Sequence, residues 1–468
     1  MSIKLTFLGA ARNVTGSQYL LEANGVRLLV ECGLYQEREL LGRNWAPFRF
    51  SVDSIDAVLL THAHLDHCGL LPRLVHDGYP GKIYCTPATA EIAEIIMQDA
   101  GKLQEEDAEF KKKRHQREGR KGPYLEVPLY TNDDAKAVSS HFAPVEYGQP
   151  LKFGDDVAVT FHDAGHVLGS AMIKIVVRQG DEKRIILFSG DVGAHNRPIL
   201  RDRTVFTEAD YVIVESTYGD RIHERPDSIA SELADIINHT VQARGNVVVP
   251  SFALERAQEI LYYMNELLLA NRIPHLLVFV DSPMANSITD VFERHPELYD
   301  EAMMALIRQK KSPFRFPGLE MVHTVDESKA INHVTGTAMI IAGSGMCTGG
   351  RIKHHLVTNI SRRESTILFP GYQAGGTLGR QIVDGNKVVR ILGQHYRVRA
   401  RIVQINGFSG HADRDGLFQW LSGLEKAPRR VFVTHGEEES ALRFADYVQR
   451  GAGWQVTVPD YGEEAYLS

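Results

Sequence analysis

The chain has 468 residues, of which 43% are hydrophobic and 24% are charged, a composition typical of globular proteins. This composition excludes a disordered chain, a collagen-like repeat and a disulfide-rich scaffold, and the length predicts more than one domain. The net charge of −7 excludes a surface that attracts nucleic acid as a whole, so a nucleic-acid site would have to be a local basic patch.

The first part of the chain is predicted to consist mainly of strands. A hairpin is expected where Asn24-Gly25 separates the apolar runs 19–23 and 26–31, because both residues tolerate the positive φ of a type I′ turn. The continuous apolar run 55–61 is typical of a strand that is buried on both faces. The other elements predicted here are strands at 5–10, 82–86, 157–165, 171–177 and 184–191, and a helix near 87–101.

Residues 102–123 are almost entirely polar, and seven Lys or Arg residues lie between Lys111 and Lys121. Charge runs of this kind usually form a solvated helix face. The alternative for the stretch 111–121 is an arm that guides RNA through phosphate contacts that are independent of sequence.

From about residue 209 the pattern changes to an alternation of strands and helices, which predicts a parallel α/β arrangement. A closing part returns to β-type runs. The predicted strands are 211–217, 246–251, 276–281, 337–344 and 365–371, and the predicted helices are 228–243, 252–270, 285–309, 414–424 and 438–450.

The cysteines Cys32, Cys68, Cys85 and Cys347 have neither disulfide nor metal-ligand spacing, which predicts free thiols in a reducing compartment. The apolar runs are far shorter than the roughly 20 residues that span a bilayer. The short apolar stretch 5–11 is interpreted as a first strand and not as a signal sequence. We therefore expect a cytoplasmic protein that does not enter a membrane.

The sharpest chemical signal is THAHLDHCG at 61–69, directly after the predicted strand 55–61. It places His62, His64, Asp66 and His67 within six residues. Imidazole and carboxylate groups this close suit zinc, manganese or iron(II). The motif therefore predicts a metal site in a loop at a strand end.

Three further residues lie at the ends of predicted strands beside Gly and Ser. They are His166 in DAGHVLGS, Asp191 after RIILFSG and His411 in GFSGHAD. Each alone would more often be a turn or core residue than a ligand. Together with the four residues of the first motif, they supply the seven ligands of a binuclear site.

At this point the chain resembles the metallo-β-lactamase superfamily and, within it, the β-CASP ribonucleases, which include the nuclease subunit of the cleavage and polyadenylation specificity factor and its bacterial and archaeal relatives. The motifs that carry the resemblance are HAHLDH, GHVLGS, SGDVG, ESTYGD, DSPMA, GSGMCTGGR, GYQAGGTLGR and GFSGHAD. The resemblance implies an α/β protein, an αββα sandwich at 1–208 and 386–468 with an α/β β-CASP domain inserted at 209–385.

The resemblance also implies two Zn²⁺ ions per chain. One would be held by His62, His64 and His166. The other would be held by Asp66, His67 and His411, with Asp191 as the bridge. The implied activity is hydrolysis of phosphodiester bonds in single-stranded RNA by a metal-activated water, which Asp66 also helps to orient.

Two positions depart from the family's pattern. Glu31 in VECG stands where the family has an Asp that orients a ligand His, and Glu makes the same hydrogen bond from one methylene further out. Gln381 stands where the eukaryotic nuclease has a His that is thought to protonate the leaving group, and Gln cannot act as an acid. Glu215 is the matching acidic residue. The possible substitute proton donors are His354, His355 and His395. We expect His395 and His411 to be catalytic.

The substrate contacts are predicted from the Gly-rich segments. Backbone N–H groups around Ser344 and Gly345 can cradle a phosphate, although a plain turn would have the same sequence. Arg351, Lys353 and Arg380 border the same region and are expected to contact phosphates.

The alternatives are a small-molecule metallo-hydrolase of the thioesterase or lactonase type, and a non-catalytic β-CASP paralogue. The inserted segment 208–380 argues against the first, and seven intact ligands argue against the second. DNA-repair members of the superfamily remain an option, although the motif around His411 resembles the RNA-processing branch. The sequence lacks the terminal extensions of exonucleolytic members, which favours an endonuclease. The oligomeric state is open, with a homodimer as one option.

Overall fold

The structure, a computed structural model, describes residues 3–121, 126–223 and 229–468. The strands in these ranges are, in chain order, β1 (Ile3–Phe7), β2 (Tyr19–Ala23), β3 (Val26–Val30), β4 (Ala57–Leu59), β5 (Lys82–Cys85), β6 (Phe142–Pro144), β7 (Leu151–Phe153), β8 (Val157–Asp163), β9 (Ala171–Gln179), β10 (Glu182–Phe188), β11 (Tyr211–Glu215), β12 (Val247–Pro250), β13 (Leu277–Asp281), β14 (Leu319–Met321), β15 (Ala338–Ala342), β16 (Thr366–Pro370), β17 (Val388–Ile391), β18 (Gln394–Arg397), β19 (Arg401–Ile405), β20 (Arg430–Thr434), β21 (Val456–Thr457) and β22 (Glu464–Leu467).

The α-helices in the same ranges are α1 (Leu65–Cys68), α2 (Leu71–His76), α3 (Pro87–Glu118), α4 (Asn132–Ala137), α5 (Ile229–Ala243), α6 (Arg256–Leu269), α7 (Pro283–Arg294), α8 (Glu301–Arg308), α9 (Val325–Ala330), α10 (Ile352–Asn359), α11 (Leu378–Val383), α12 (Arg414–Leu421) and α13 (Glu438–Ala452). No helix in the described part of the chain has the length and apolar character of a membrane-spanning segment.

The chain divides into two compact units. The first unit comprises residues 1–195, 202–222 and 411–468, and the second comprises residues 196–201 and 223–410. The domain divisions expected at 208/209 and 385/386 stay a prediction, and the compact units divide the chain at other positions. Strand β11 pairs in parallel with both β10 and β20 and so belongs to the first unit, whereas β19 pairs with β16 and belongs to the second.

The first unit contains two seven-stranded sheets, in the orders β22-β1-β2-β3-β4-β5-β6 and β21-β20-β11-β10-β9-β8-β7. Residues alternate along β8, so that Val157, Val159 and Phe161 point into the core between the sheets. Helices α12 and α13 cover the other face of the second sheet through residues such as Leu417 and Phe444. The sandwich expected from the resemblance is confirmed.

The predicted hairpin is confirmed. Tyr19 pairs with Val30 across β2 and β3, and the turn residues Asn24 and Gly25 have φ values of 50° and 80°. In the same sheet the buried strand β4 lies between β3 and β5, and it leads directly into the predicted metal-binding motif at 61–69.

Helix α3 is longer than predicted. It was expected to end near residue 101, but it continues through the polar segment to Glu118 and ends at Gly119 with φ 62°. Lys111 and Lys113 each form an ion pair one turn back along this helix, with Asp107 at 2.5 Å and Glu109 at 2.6 Å. Residues 122 and 123 of the polar segment, and residue 228 of the next predicted helix, lie outside the described residues.

The second unit is built on a parallel sheet in the order β14-β13-β15-β12-β16-β19. Its central strands β12, β15 and β16 are buried along their whole length, which explains their continuous apolar sequences. One face packs on α10 and α11. Because all neighbouring strands are parallel, the loops that follow β12, β15 and β16 meet at one edge of the sheet.

Candidate metal centre

The cluster of candidate ligands forms in the first unit because several strands end at the same place. Strand β4 leads into the loop with His62 and His64 and then into α1 with Asp66 and His67. The other members follow strands of the second sheet: His166 lies between β8 and β9, Asp191 follows β10, Glu215 ends β11 and His435 follows β20. Strands β10, β11 and β20 are parallel neighbours, so their carboxyl ends coincide.

The first group of donor atoms consists of His62, His64, His166 and Asp191, all within 4.8 Å of one another. His64 Nδ1 lies 3.0 Å from His62 Nε2 and 3.4 Å from His166 Nε2. Asp191 Oδ2 lies 3.3 Å from His62 Nε2 and 3.4 Å from His166 Nε2. The structure thus brings together the residues that the sequence assigned to one metal.

The second group consists of Asp66, His67 and His435. The Nε2 atoms of His67 and His435 are 3.0 Å apart, and Asp66 Oδ2 lies 3.5 Å from His435 Nε2. Asp191 Oδ1 faces this group, at 3.4 Å from His67 Nε2 and 3.7 Å from His435 Nε2. Asp191 therefore turns one oxygen toward each group.

Sequence reasoning missed His435. It was expected that His411 would complete the second group, but the donor atoms that lie within 4.8 Å of one another there belong to Asp66, His67 and His435. The signal was available in the sequence. His435 directly follows the apolar strand β20, just as Asp191 follows β10, so the strand-end rule that selected Asp191 also selects His435.

His411 is held instead by Glu215. Its Nδ1 lies 3.0 Å and 3.2 Å from the two carboxylate oxygens of Glu215. Glu215 also accepts hydrogen bonds from the backbone N–H groups of Val192 and Thr217, so the carboxylate is fixed in place. Burial lowers the pKa of His411, but the carboxylates of Glu215 and Asp191 outweigh it and raise the pKa to about 9. The two carboxylates thus favour the protonated form of the His411 imidazole.

The outward-facing nitrogens of His62 and His435 have hydroxyl partners, and that of His67 faces a carboxylate. Thr61 Oγ1 lies 2.9 Å from His62 Nδ1, and Thr217 Oγ1 lies 3.1 Å from His435 Nδ1. Glu31 Oε2 lies 3.5 Å from His67 Nδ1, where the sequence expected a residue that orients a ligand His. Such partners fix the ring orientation and leave the inward nitrogen free to bind a metal.

The two groups differ in electrostatics. Burial lowers the pKa of His62 to about 3 and that of His64 to about 4, so both rings are neutral, as metal ligands must be. Burial also acts on His67, but the adjacent carboxylates of Asp191 and Glu31 raise its pKa well above the ordinary value. These carboxylates attract positive charge at the second group.

The donor set fits bound metal. Zn–N bonds of about 2.0–2.1 Å in a tetrahedral site place donor atoms about 3.3 Å apart, which is the spacing seen in both groups. Asp191 Oδ1 is buried and accepts no hydrogen bond. Glu31, Asp191 and Glu215 are each at most 2% exposed, and buried carboxylates require compensating cations.

The predicted phosphate contacts lie in the second unit, and two of them are engaged within the protein. The Arg351 guanidinium forms an ion pair with Asp281 at 2.6 Å and donates to the carbonyl of His323. Ser344 Oγ accepts hydrogen bonds from the backbone N–H groups of Thr348 and Gly349. Arg351 and Ser344 thus hold the loop that follows β15 in shape.

The remaining phosphate candidates are more accessible. Lys353 is half-buried on α10 and forms no ion pair with a described residue. Arg380 on α11 pairs with the exposed Asp384 at 2.8 Å. Gly345 lies against Phe252, so that a side chain added at Gly345 would come within 3.0 Å of the Phe252 ring.

The candidate proton donors of the second unit differ in their exposure. His355 is buried and its Nε2 lies 2.6 Å from Asp281 Oδ2. His354 and Gln381 are exposed, and His395 is exposed on the β17–β18 hairpin.

Comparisons with known proteins agree with this site. The metallo-β-lactamase superfamily domain matches residues 20–195, the Beta-Casp domain matches 257–382, and the Zn-dependent metallo-hydrolase RNA specificity domain matches 395–459. The chain is 40% identical over 461 residues to "Ribonuclease TTHA0252" of Thermus thermophilus, covering 98% of this chain and 99% of that protein.

More distant relatives are also similar over nearly the whole chain. The chain is 32% identical to "Transcription termination factor FttA" of Methanocaldococcus jannaschii, covering 98% of this chain and 70% of that protein. A solved structure of a protein of unknown function from Enterococcus faecalis V583 covers both chains completely, with a TM-score of 0.55 at 13% identity, which shows a likeness in fold alone.

A two-sheet sandwich with a His- and carboxylate-rich cluster at its strand ends is the architecture of metallo-hydrolases with the metallo-β-lactamase fold. The chain belongs to the β-CASP ribonuclease family of this superfamily.

Proposed function

We propose that the protein is a zinc-dependent ribonuclease that hydrolyses phosphodiester bonds of single-stranded RNA. One observation carries the proposal: Asp191 turns its two oxygens to two separate groups of inward-facing histidines. The 40% identity to a protein named as a ribonuclease and the match to an RNA specificity domain support RNA as the substrate.

Two Zn²⁺ ions fit the donor atoms. His62, His64 and His166 would hold one ion, and Asp66, His67 and His435 would hold the other, with Asp191 shared between them. Bound there, zinc supplies a Lewis-acid charge that activates a water molecule and stabilises negative charge on the phosphate oxygens.

The proton chemistry belongs to His411 and Glu215. In hydrolysis with attack on phosphorus, the 3′-oxygen leaves and must be protonated or otherwise stabilised. The carboxylates of Glu215 and Asp191 favour the protonated form of His411, and Glu215 fixes the ring through Nδ1. We therefore assign His411 as the acid that protonates the leaving oxygen and Glu215 as the residue that positions it. The exposed His395 and the buried His355 are not needed for this step.

Endonucleolytic cleavage is proposed ahead of 5′-exonucleolytic cleavage, and a cytoplasmic location is supported by the four buried free cysteines. A homodimer stays a prediction. A thioesterase or lactonase gains no support, because the match to an RNA specificity domain extends over 395–459.

The experiment is cleavage of 5′- and 3′-labelled single-stranded RNA by the zinc-loaded protein, with Asp191→Ala as the inactive control. The expected products carry a 5′-phosphate and a 3′-hydroxyl. A 2′,3′-cyclic phosphate would show that the ribose 2′-hydroxyl attacked, and would overturn the mechanism. Thioester hydrolysis without RNA cleavage would overturn the function.

A further inference from the structure

Two large aromatic side chains are exposed in the second unit. Phe252 is 49% exposed and Tyr372 is 45% exposed. Neither ring packs against another aromatic ring or a cationic side chain among the described residues, and the Tyr372 hydroxyl donates no hydrogen bond there. Aromatic rings usually bury 150–250 Å² each, so two half-exposed rings at one place need an explanation.

The sheet places the two residues at the same edge. Phe252 follows β12 (Val247–Pro250) and Tyr372 follows β16 (Thr366–Pro370). These strands are adjacent and parallel, with Val247 opposite Thr366 and Val248 opposite Ile367. Adjacent strands lie about 4.8 Å apart, so Phe252 and Tyr372 follow neighbouring strand ends at the carboxyl edge, where parallel sheets bind their ligands.

The loop after β15, on the other side of β12, connects the two positions. Gly345 in that loop lies directly against the Phe252 ring. The Gln373 side chain donates hydrogen bonds to the carbonyl oxygens of Gly345 and Tyr372, at 3.1 Å each, and so ties the backbone beside Tyr372 to the same loop. A side chain at Gly345 would come within 3.0 Å of the ring, which explains why a glycine stands at this position. Phe252, Gly345 and Tyr372 thus follow the ends of three adjacent strands.

Two cationic side chains lie on helices that are hydrogen-bonded to the loop after β15. Lys353 is on α10, which begins where the loop ends, and Ile352 N donates to Gly343 O. Arg380 is on α11, whose Gly379 N donates to Met346 O at 3.2 Å. Aromatic planes beside a few cationic side chains are the pattern by which proteins bind single-stranded nucleic acid, the rings stacking on bases and the cations meeting phosphates.

We propose that Phe252 and Tyr372 form a stacking platform for unpaired bases of the RNA substrate. This inference rests on the proposed ribonuclease function and adds the binding determinant for its substrate. Stacking on an aromatic plane requires that the base be unpaired, and it tolerates any base. The platform therefore selects single-stranded RNA over duplex without selecting a sequence.

The experiment compares KM and kcat for a single-stranded RNA oligomer and for the same oligomer with abasic sites at successive positions, which keep the phosphates and lose the bases. The proteins are the zinc-loaded wild type, Phe252→Ala, Tyr372→Ala, the double variant and the ring-preserving pair Phe252→Trp and Tyr372→Phe. Tyr466→Ala, which removes a 69% exposed ring on β22 of the first unit, is the matched control.

We expect each Ala variant to raise KM roughly 5- to 100-fold with kcat little changed, which corresponds to the loss of one stacked base. The wild type should lose affinity when abasic sites reach the platform. In the double variant, abasic sites should cause no further loss of affinity. The ring-preserving variants and Tyr466→Ala should behave as the wild type.

An abasic penalty that is the same in the wild type and the double variant would overturn the platform, because the bases would then be bound elsewhere. A double variant with unchanged KM and an altered sedimentation coefficient would also overturn it, since the rings would then serve protein association. A wild type that cleaves no RNA would instead overturn the proposed function, so the two failures are distinguishable.

Discussion

The Nε2 atoms of His67 and His435 lie 3.0 Å apart, although 368 residues separate them in the sequence. His67 lies on α1, which follows strand β4 of the first sheet, and His435 follows strand β20 of the second sheet. Two imidazole nitrogens that face each other at this distance, with Asp66 and Asp191 beside them, form the donor arrangement of a metal site. A functional centre thus depends on the packing of the two sheets.

Asp191→Ala is expected to reduce bound zinc at both positions and to abolish RNA cleavage, because Asp191 offers one oxygen to each group. Elemental analysis of purified protein, with cleavage of labelled RNA, measures both effects. Asp66→Ala is the comparison, since Asp66 faces only the second group and its loss should spare the first metal. Full cleavage activity in Asp191→Ala would remove the assignment of the site.

Gln381→His is expected to leave kcat unchanged. The proposed acid is His411, whose Nδ1 is held by Glu215, and Gln381 is exposed on α11. His395→Ala should also leave kcat unchanged, whereas His411→Ala should lower it by about 10²–10⁴-fold, the usual contribution of a positioned acid. Single-turnover cleavage by the zinc-loaded variants tests this. Faster cleavage by Gln381→His would mean that the wild type lacks a competent donor.

The basic stretch of α3 is expected to contribute little to RNA binding. Lys111 and Lys113 already pair with Asp107 and Glu109 on the same exposed helix. Replacing Lys111, Lys112, Lys113 and Arg114 by Ala should therefore leave the slope of log K against log salt unchanged. Lys353→Ala, in contrast, should reduce the slope by about 0.7 for single-stranded RNA, since Lys353 forms no ion pair with a described residue. A smaller slope in the α3 variant would restore the RNA-guiding arm.

Asp281 is expected to stabilise the second unit in a pH-dependent way. Burial raises the pKa of its carboxyl, but hydrogen bonds from His355, Ser328 and Arg351 outweigh burial and hold it below the ordinary value. A lowered carboxyl pKa contributes stability that is present above the unfolded value, about 3.9, and is lost as pH falls through the folded value. Asp281→Asn should therefore lower the free energy of unfolding at pH 7 by up to about 3 kcal/mol, because the Arg351 guanidinium and the buried His355 ring lose the carboxylate that they contact.

Urea unfolding of Asp281→Asn and wild type at pH 7 and near pH 3 measures this difference. The gap in the free energy of unfolding should shrink at the lower pH, as the wild-type carboxyl becomes protonated. Asp384→Asn is the matched control, since Asp384 is 47% exposed beside Arg380 and such pairs contribute about 1 kcal/mol or less. An equal gap at both pH values would show that ionisation of Asp281 does not matter.

Part of the site could be predicted because its residues lie close together in the sequence or directly follow a strand. His62, His64, Asp66 and His67 lie within six residues, and Asp191 is marked by the strand that precedes it. His435 carries the same mark. The assignment of His411, however, depends on its distance from Glu215, and His411 is held there by a β-bridge to Gly193, which is distant in the sequence.

The roles of the second unit's residues were harder to predict for the same reason. Arg351 has the sequence context of a phosphate ligand, but it contacts Asp281, 70 residues away. The bounds of the compact units also depend on distant partners: the apolar sequence of β11 would suit either unit, and its pairing with β20 assigns it to the first. Sequence patterns predict which residues face inward and where strands end, whereas partners that are distant in the sequence depend on the order of the strands.

The zinc content of His435→Ala and His411→Ala, measured side by side on protein purified without added metal, tests the site most directly. If His435 is a ligand and His411 is the proton donor, wild type and His411→Ala should both contain close to two zinc ions per chain, and His435→Ala should contain close to one. A His411→Ala protein that loses one zinc ion, beside a His435→Ala protein that keeps both, would contradict the assignment.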